Sequence, residues 1–131
     1  MKKRQIKDNI YWLGAIDWDR RLFDSLIPLP DGTSYNAYLI EGSEKTALLD
    51  TVDPPMEDTL MEQLRGVEKI DYIISHHAEQ DHSGTIGRVL EKFPEAKVVV
   101  TPKAKNMLMD LLRLDESVFS PVEDGDVLSL G

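Results

Sequence analysis

The sequence contains no cysteine. That absence excludes disulfides, thiolate metal sites, iron–sulfur clusters and a cysteine nucleophile together. It is compatible with a reducing cytoplasm. Histidine is scarce as well, with three among 131 residues. Basic residues are outnumbered, 15 against 24 acidic, for a formal net charge of -9. Such a charge repels nucleic-acid backbones, so no DNA or RNA partner is expected. No apolar run approaches the roughly 18 residues that a membrane span needs. The basic start Met1-Lys2-Lys3-Arg4 runs into Gln5, Lys7, Asp8 and Asn9 rather than an apolar stretch. It is therefore not read as a signal peptide, and a cytoplasmic location is expected. No repeat, low-complexity segment or linker divides the chain, so residues 1–131 read as one unit with an ordinary core.

What is present alternates between strand and helix patterns. Ile6 to Gly14 reads as a first strand, and Asp17 to Pro30 as a loop with scattered apolar residues. Asp31-Gly32 marks a turn. Ser34 to Ile40 and Thr46 to Asp50 read as a hairpin joined by Glu41-Gly42-Ser43-Glu44. A helix is expected from Asp53, with Asp53 as its cap, Pro54 in its first turn, and Met56, Leu60 and Leu64 on its inner face. Gly66 ends it. Asp71 to Ser75 is a short buried strand, and a helix from about Ser83 to Phe93 follows, stopped by Pro94. Val98 to Val100 is another buried strand. Pro102 opens a last helix with Ala104, Met107, Leu108 and Leu111 inward. Weak strands are expected near Val118 and Val127, and Gly131 looks like the end of a strand. Continuous apolar runs in the second half suit strands covered on both faces of an α/β sheet.

All three histidines fall between positions 76 and 82, in the run His76-His77-Ala78-Glu79-Gln80-Asp81-His82. The run follows a buried strand and precedes a helix, and in α/β proteins sites are built at such strand ends. In an extended segment, residues two apart share a side. His77, Glu79 and Asp81 would then face one way, and a turn at the helix start could add His82. Imidazole suits zinc, copper, iron and nickel, while carboxylates shift preference toward harder ions. A mixed set without thiolate suits a non-haem iron pair. The plainer alternative is an acidic loop in which Asp81 caps the helix.

The pattern His77-x-Glu79-x-Asp81-His82, followed by Ser83-Gly84, resembles the signature of the flavodiiron proteins, within the metallo-β-lactamase superfamily. Asp17-Trp18-Asp19, Leu22-Phe23-Asp24, residues Gly32 to Ile40, and Leu48-Leu49-Asp50-Thr51 match as well, so the likeness covers nearly the whole chain. The resemblance implies an α/β (α+β) fold: half of a metallo-β-lactamase-like αββα sandwich, a mixed sheet with helices on one face. It implies His77 and Glu79 on one iron, and Asp81 and His82 on the other. Hydrolytic zinc relatives carry histidine where Glu79 stands. An anionic oxygen donor favours ferric iron, so the exchange argues for redox iron over a zinc hydrolase that would activate water. Asp50 is implied as the acid that steadies the metal loop, with a simple turn carboxylate as the alternative. His76 is implied as a neighbouring, non-ligand group. Tyr35, Asn36 and Tyr38 either line the approach to the metals or belong to the core.

The resemblance also shows what is missing. No histidine follows His82, so the family's downstream ligands, two histidines and a bridging aspartate, do not come from these residues. Neither does a flavodoxin-like domain with its FMN. Intact members of the family reduce dioxygen or nitric oxide with electrons from a rubredoxin-type donor. This chain is therefore expected to be a piece of a longer protein, one product of a split gene completed by a second chain, or a half-domain that folds alone. In the last case one sheet face stays uncovered, and a homodimer is expected to cover it. A non-catalytic dimerising half-domain is then the competing function.

Overall fold

The computed structural model describes residues 2–131. Seven strands form one mixed sheet in the order β1-β2-β5-β6-β7-β8-β9, and β3 and β4 form a separate small hairpin. The strands are β1 (Arg4–Lys7), β2 (Ile10–Asp17), β3 (Leu22–Phe23), β4 (Ile27–Pro28), β5 (Thr33–Glu41), β6 (Thr46–Leu49), β7 (Tyr72–Ile74), β8 (Lys97–Val100) and β9 (Phe119–Pro121). The helices are α1 (Glu57–Gln63), α2 (Gln80–Ser83), α3 (Ile86–Lys92) and α4 (Pro102–Leu112). Strands β1, β2, β5 and β6 pair antiparallel. From β6 onward the pairing is parallel.

The alternation along β5 sorts the two faces of the sheet. Tyr35, Ala37 and Leu39 are buried, whereas Ser34 and Asn36 are exposed and Tyr38 and Ile40 lie between. Register carries the buried row across the sheet: Leu39 pairs with Leu48, Leu48 with Ile73, Ile73 with Val98, and Val98 with Phe119. These residues share one core with Leu60 and Leu64, with Ile86 and Val89 of α3, and with Leu108 of α4. The helices thus cover one face, as the resemblance implies. The opposite face presents Trp12, Tyr38, Leu49 and Ile74, all only partly covered. Near the β1 edge it forms an open groove of about 800 Å³ lined by Arg4, Ile6, Trp12, Ile16 and Tyr38.

Several sequence expectations are corrected. The single strand from Ile6 to Gly14 is two strands, because Asn9 takes a left-handed conformation (φ 61°) and turns the chain back. Asparagine accepts that conformation more readily than most residues. The loop from Asp17 to Pro30 contains the β3–β4 hairpin, with Asp24 and Ser25 at φ 50° and 57°. Positive φ at both central residues is the geometry whose twist matches a tight hairpin. The helix at Asp53 opens with a 3₁₀ turn, Pro54–Met56, and Asp53 makes no side-chain cap. Its carboxylate binds Arg20 instead. The helix expected from Ser83 to Phe93 is two short helices, parted at Gly84 and Thr85. The residue at the N-terminal cap of α2 is Glu79, and Asp81 lies in the first turn. On α4, Leu108 and Ala104 do face the core. Met107 and Leu111 do not, and are 52% and 47% exposed. Val118 lies in a 3₁₀ turn just before β9, and Val127 is in an exposed tail. The chain does not end as a strand. The tail returns to the β5–β6 turn, where the Leu130 carbonyl accepts from Glu44 N and Lys45 N.

Candidate metal centre

The parallel strands β6 and β7 end side by side. Asp50, directly after β6, donates its amide to the Ile74 carbonyl at 2.8 Å. Ser75, directly after β7, donates to Val99 O at 3.1 Å. Backbone turns therefore start at the same level on both strands, and the histidine run leaves from that level. Asp50 adopts φ 57°. Its buried carboxylate reaches the histidine run: Oδ1 accepts from His76 N at 2.8 Å, and Oδ2 lies 3.1 Å from His82 Nδ1 and 3.2 Å from His76 Nδ1. A buried carboxylate needs such donors to offset its lost hydration. An imidazole nitrogen facing a carboxylate oxygen makes a hydrogen bond only as a donor, so Asp50 favours the proton on each Nδ1, and a neutral ring so held keeps the lone pair on Nε2.

The rest of the loop is held by hydroxyls. Buried Ser83 donates to the carbonyls of Ala78 and Glu79, and Ser75 Oγ donates to His77 O. The four implied ligands meet as two pairs. His77 Nε2 lies 3.4 Å from Glu79 Oε2, and His82 Nε2 lies 3.6 Å from Asp81 Oδ2. The rings of His77 and His82 meet edge to face at 5.4 Å. Two donors bound to one ion at about 2.1 Å each stand about 3.0–3.4 Å apart at ordinary coordination angles. Each pair is thus spaced to share an ion with little movement. Among the described residues, no three histidine or acidic side chains are placed to hold one ion. The geometry is that of two neighbouring pairs, each with one imidazole nitrogen and one carboxylate oxygen. The side chains of His77 and Glu79 are 56% and 55% exposed, so this side is open for further ligands.

An open cleft of about 530 Å³ runs along the loop, lined by His77, Glu79, Asp81, Arg20, Asp53, Phe23, Met107 and Leu111. The sequence reading missed its far wall. The outward Met107 and Leu111 were the available signal: apolar residues one helical turn apart, on a helix already anchored by Leu108. Arg20 ties this wall together. It donates through Nη1 to Asp53 Oδ2 at 2.9 Å and through Nε to Leu22 O at 2.8 Å. Asp17 Oδ1 accepts from the amides of Asp19 and Arg20, and Oδ2 accepts from the Tyr35 hydroxyl at 3.1 Å. Burial pushes the Tyr35 phenol far above its ordinary range, and the carboxylates of Asp53 and Asp17 push it further. It stays protonated as a donor. Tyr35 therefore belongs to the core and to this network. Replacing Arg20 by methionine should leave Asp53 buried without a cation. The guanidinium is partly exposed, so the expected loss is modest, about 1–2 kcal/mol in urea denaturation. An unchanged midpoint would mean that water replaces the guanidinium.

Residues 30–130 match the metallo-beta-lactamase superfamily. The coenzyme F420H(2) oxidase of Methanothermobacter marburgensis is 41% identical over 135 residues, covering 98% of this chain and 33% of that protein. The crystal structure of the flavodiiron protein from Giardia intestinalis superposes with a TM-score of 0.91 at 27% identity, covering 100% of this chain and 32% of that one. Rubredoxin oxygen:oxidoreductase from Desulfovibrio gigas gives the same TM-score, 0.91, at 32% identity, over 99% of this chain and 33% of that one. The chain thus spans about a third of the length of the relatives it matches. With a mixed sheet covered by helices on one face and a histidine- and acid-bearing loop at the ends of β6 and β7, the chain is similar to about a third of the flavodiiron proteins and belongs to the metallo-beta-lactamase superfamily.

Proposed function

We propose that this chain supplies the first ligand motif of a diiron oxidoreductase domain that reduces dioxygen or nitric oxide. His77 and Glu79 would hold one iron, and Asp81 and His82 the other. The observation that carries the reading is the pairing of these four side chains, nitrogen with oxygen, across 3.4 and 3.6 Å. When bound, an iron pair would supply the redox centre at which dioxygen or nitric oxide accepts electrons. The protein's own part is to hold and orient. Asp50 fixes the tautomer of His82, the hydroxyls of Ser75 and Ser83 fix the loop, and Phe23, Met107 and Leu111 make the adjoining wall apolar.

The remaining ligands, an FMN and an electron donor of the rubredoxin type would come from outside residues 1–131. They would be brought by a further part of the same protein or by a complementing second chain. The partly covered face at Trp12, Tyr38 and Ile16 is the surface such a partner would cover, since an apolar face of this size favours burial. A homodimer could cover the same face without completing the ligand set, which leaves a dimerising half-domain as the competing reading.

Native mass spectrometry after anaerobic incubation with ferrous iron tests this. The 131-residue chain alone should hold iron weakly or not at all. Joined to the downstream part of the Methanothermobacter marburgensis relative, it should hold two irons, and replacing His77 and Glu79 together by alanine should remove one of them. A completed domain that binds zinc and refuses iron would support hydrolytic chemistry instead. One that binds no metal would leave only the interaction role.

A further inference from the structure

We propose that Thr51 is a positioning residue for His82: it grips the His82 backbone while its neighbour Asp50 holds the ring. The inference rests on the reading of His82 as a ligand, and its test is arranged to separate the two. Thr51 is fully buried. Its amide and its hydroxyl both donate to the His82 carbonyl, each at 2.8 Å. Its Oγ1 in turn accepts from Thr85 N at 3.3 Å, and Thr85, also buried, donates its hydroxyl to Val52 O at 2.8 Å. The end of β6 is therefore bonded to α2 and to the break that follows it.

The arrangement has a physical purpose. Helix α2 has four residues, and a single turn has no stability of its own in water. In a continuous helix the His82 carbonyl would accept from the amide four residues on. The break at Gly84 and Thr85 removes that partner, and Thr51 replaces it with two bonds from one residue. A carbonyl held by one bond can still pivot about it, and the second bond takes that freedom away. Gly84 leaves α2 no slack on the other side, since a Cβ there would press into the Pro54 ring. With Asp50 on Nδ1 and Thr51 on the carbonyl, the direction of His82 Nε2 is set from two adjacent residues of one strand end. Such outer contacts commonly govern metal affinity as strongly as the ligands' own chemistry.

The test uses the full chain labelled with ¹⁵N-histidine, with Thr51→Val and Thr51→Ser variants. Long-range ¹H–¹⁵N correlations report the imidazole tautomer, cobalt(II) titration of the same variants joined to the downstream part of the Methanothermobacter marburgensis relative reports affinity, and urea denaturation confirms the folded state. The wild type should show one His82 tautomer, protonated at Nδ1. Thr51→Val should mix the tautomers and weaken cobalt binding about tenfold or more. Thr51→Ser, which keeps the hydroxyl, should restore both. A single tautomer in Thr51→Val would overturn the proposal. So would mixed tautomers in Thr51→Ser, a result that decides the matter even if the valine variant does not fold. If the tautomers respond to Thr51→Val while the cobalt affinity of the completed domain does not change, positioning stands and the ligand reading of His82 fails.

Discussion

Replacing Gln63 by leucine should cost about 2–4 kcal/mol of stability, although no site residue is touched. The reason lies at an interrupted strand edge. β1 pairs with β2 only as far as Trp12. Beyond it, the outward amide and carbonyl of Gly14 have no strand neighbour. Gln63, buried at the end of α1, takes that place: its Oε1 accepts from Gly14 N and its Nε2 donates to Gly14 O, both at 2.9 Å. One side-chain amide thus stands in for a strand. Leucine is similar in size and would fill the space, but it would leave two buried backbone groups unpaired, each costing about 1–3 kcal/mol. With a urea slope of about 1–3 kcal/mol per molar, the midpoint should fall by about 1–2 M. Gln63→Glu should recover little, because its second oxygen would face the Gly14 carbonyl. A leucine variant within about 0.5 kcal/mol of wild type would mean that water reaches this edge. Gly14 cannot be exchanged to relieve the arrangement: it sits at φ 134°, and a Cβ there would overlap the Tyr35 carbonyl oxygen.

How far the sequence could be read follows from what each signal measures. Apolar runs and Gly/Pro punctuation report local burial and turns, and they located β5 through β8 and the inner face of α1. They do not report which of two apolar faces of a helix meets the sheet. The reading placed Met107 and Leu111 inward, whereas they face the cleft and leave Leu108 in the core. Nor do they anticipate a polar side chain claimed by a distant partner. Asp53 has the sequence position of a cap, yet Arg20 lies 33 residues earlier and takes it. Gln63 looks like an ordinary helix residue until the gap beside Gly14 is known. In the site, the composition of the histidine run was legible, and so was its place at a strand end. Its grouping into pairs came from the resemblance alone: strand alternation put His77, Glu79 and Asp81 on one side, because it does not anticipate the turn of α2 or the reach of Asp50 from a different strand.

Asp50→Asn is the sharpest test of how the site is preset, and it should weaken metal binding by about 100-fold, the upper end of what outer contacts govern. The exchange is nearly isosteric. Asparagine also tolerates the left-handed backbone at φ 57°, so the fold should survive. The chemistry does not survive. One terminal atom of the side chain must still accept from His76 N, which holds Oδ1 at 2.8 Å in the native protein. The other atom then becomes an NH₂ donor facing His82 Nδ1, where a carboxylate oxygen stood at 3.1 Å. Two donors cannot face each other, so His82 must give up its Nδ1 proton and carry it on Nε2. The lone pair is then lost from the nitrogen beside Asp81, and a metal must displace a proton or flip the ring to bind. A 100-fold loss corresponds to about 2.7 kcal/mol, measurable by competition titration with ferrous iron or cobalt(II) against a chelator in the completed domain. If the amide turns the other way, His76 N loses its acceptor and the loop loosens, which lowers affinity by a second route. Wild-type affinity in this variant would show that His82 does not bind through Nε2, and the Asp81–His82 half-site would have to be abandoned while the His77–Glu79 pair remained.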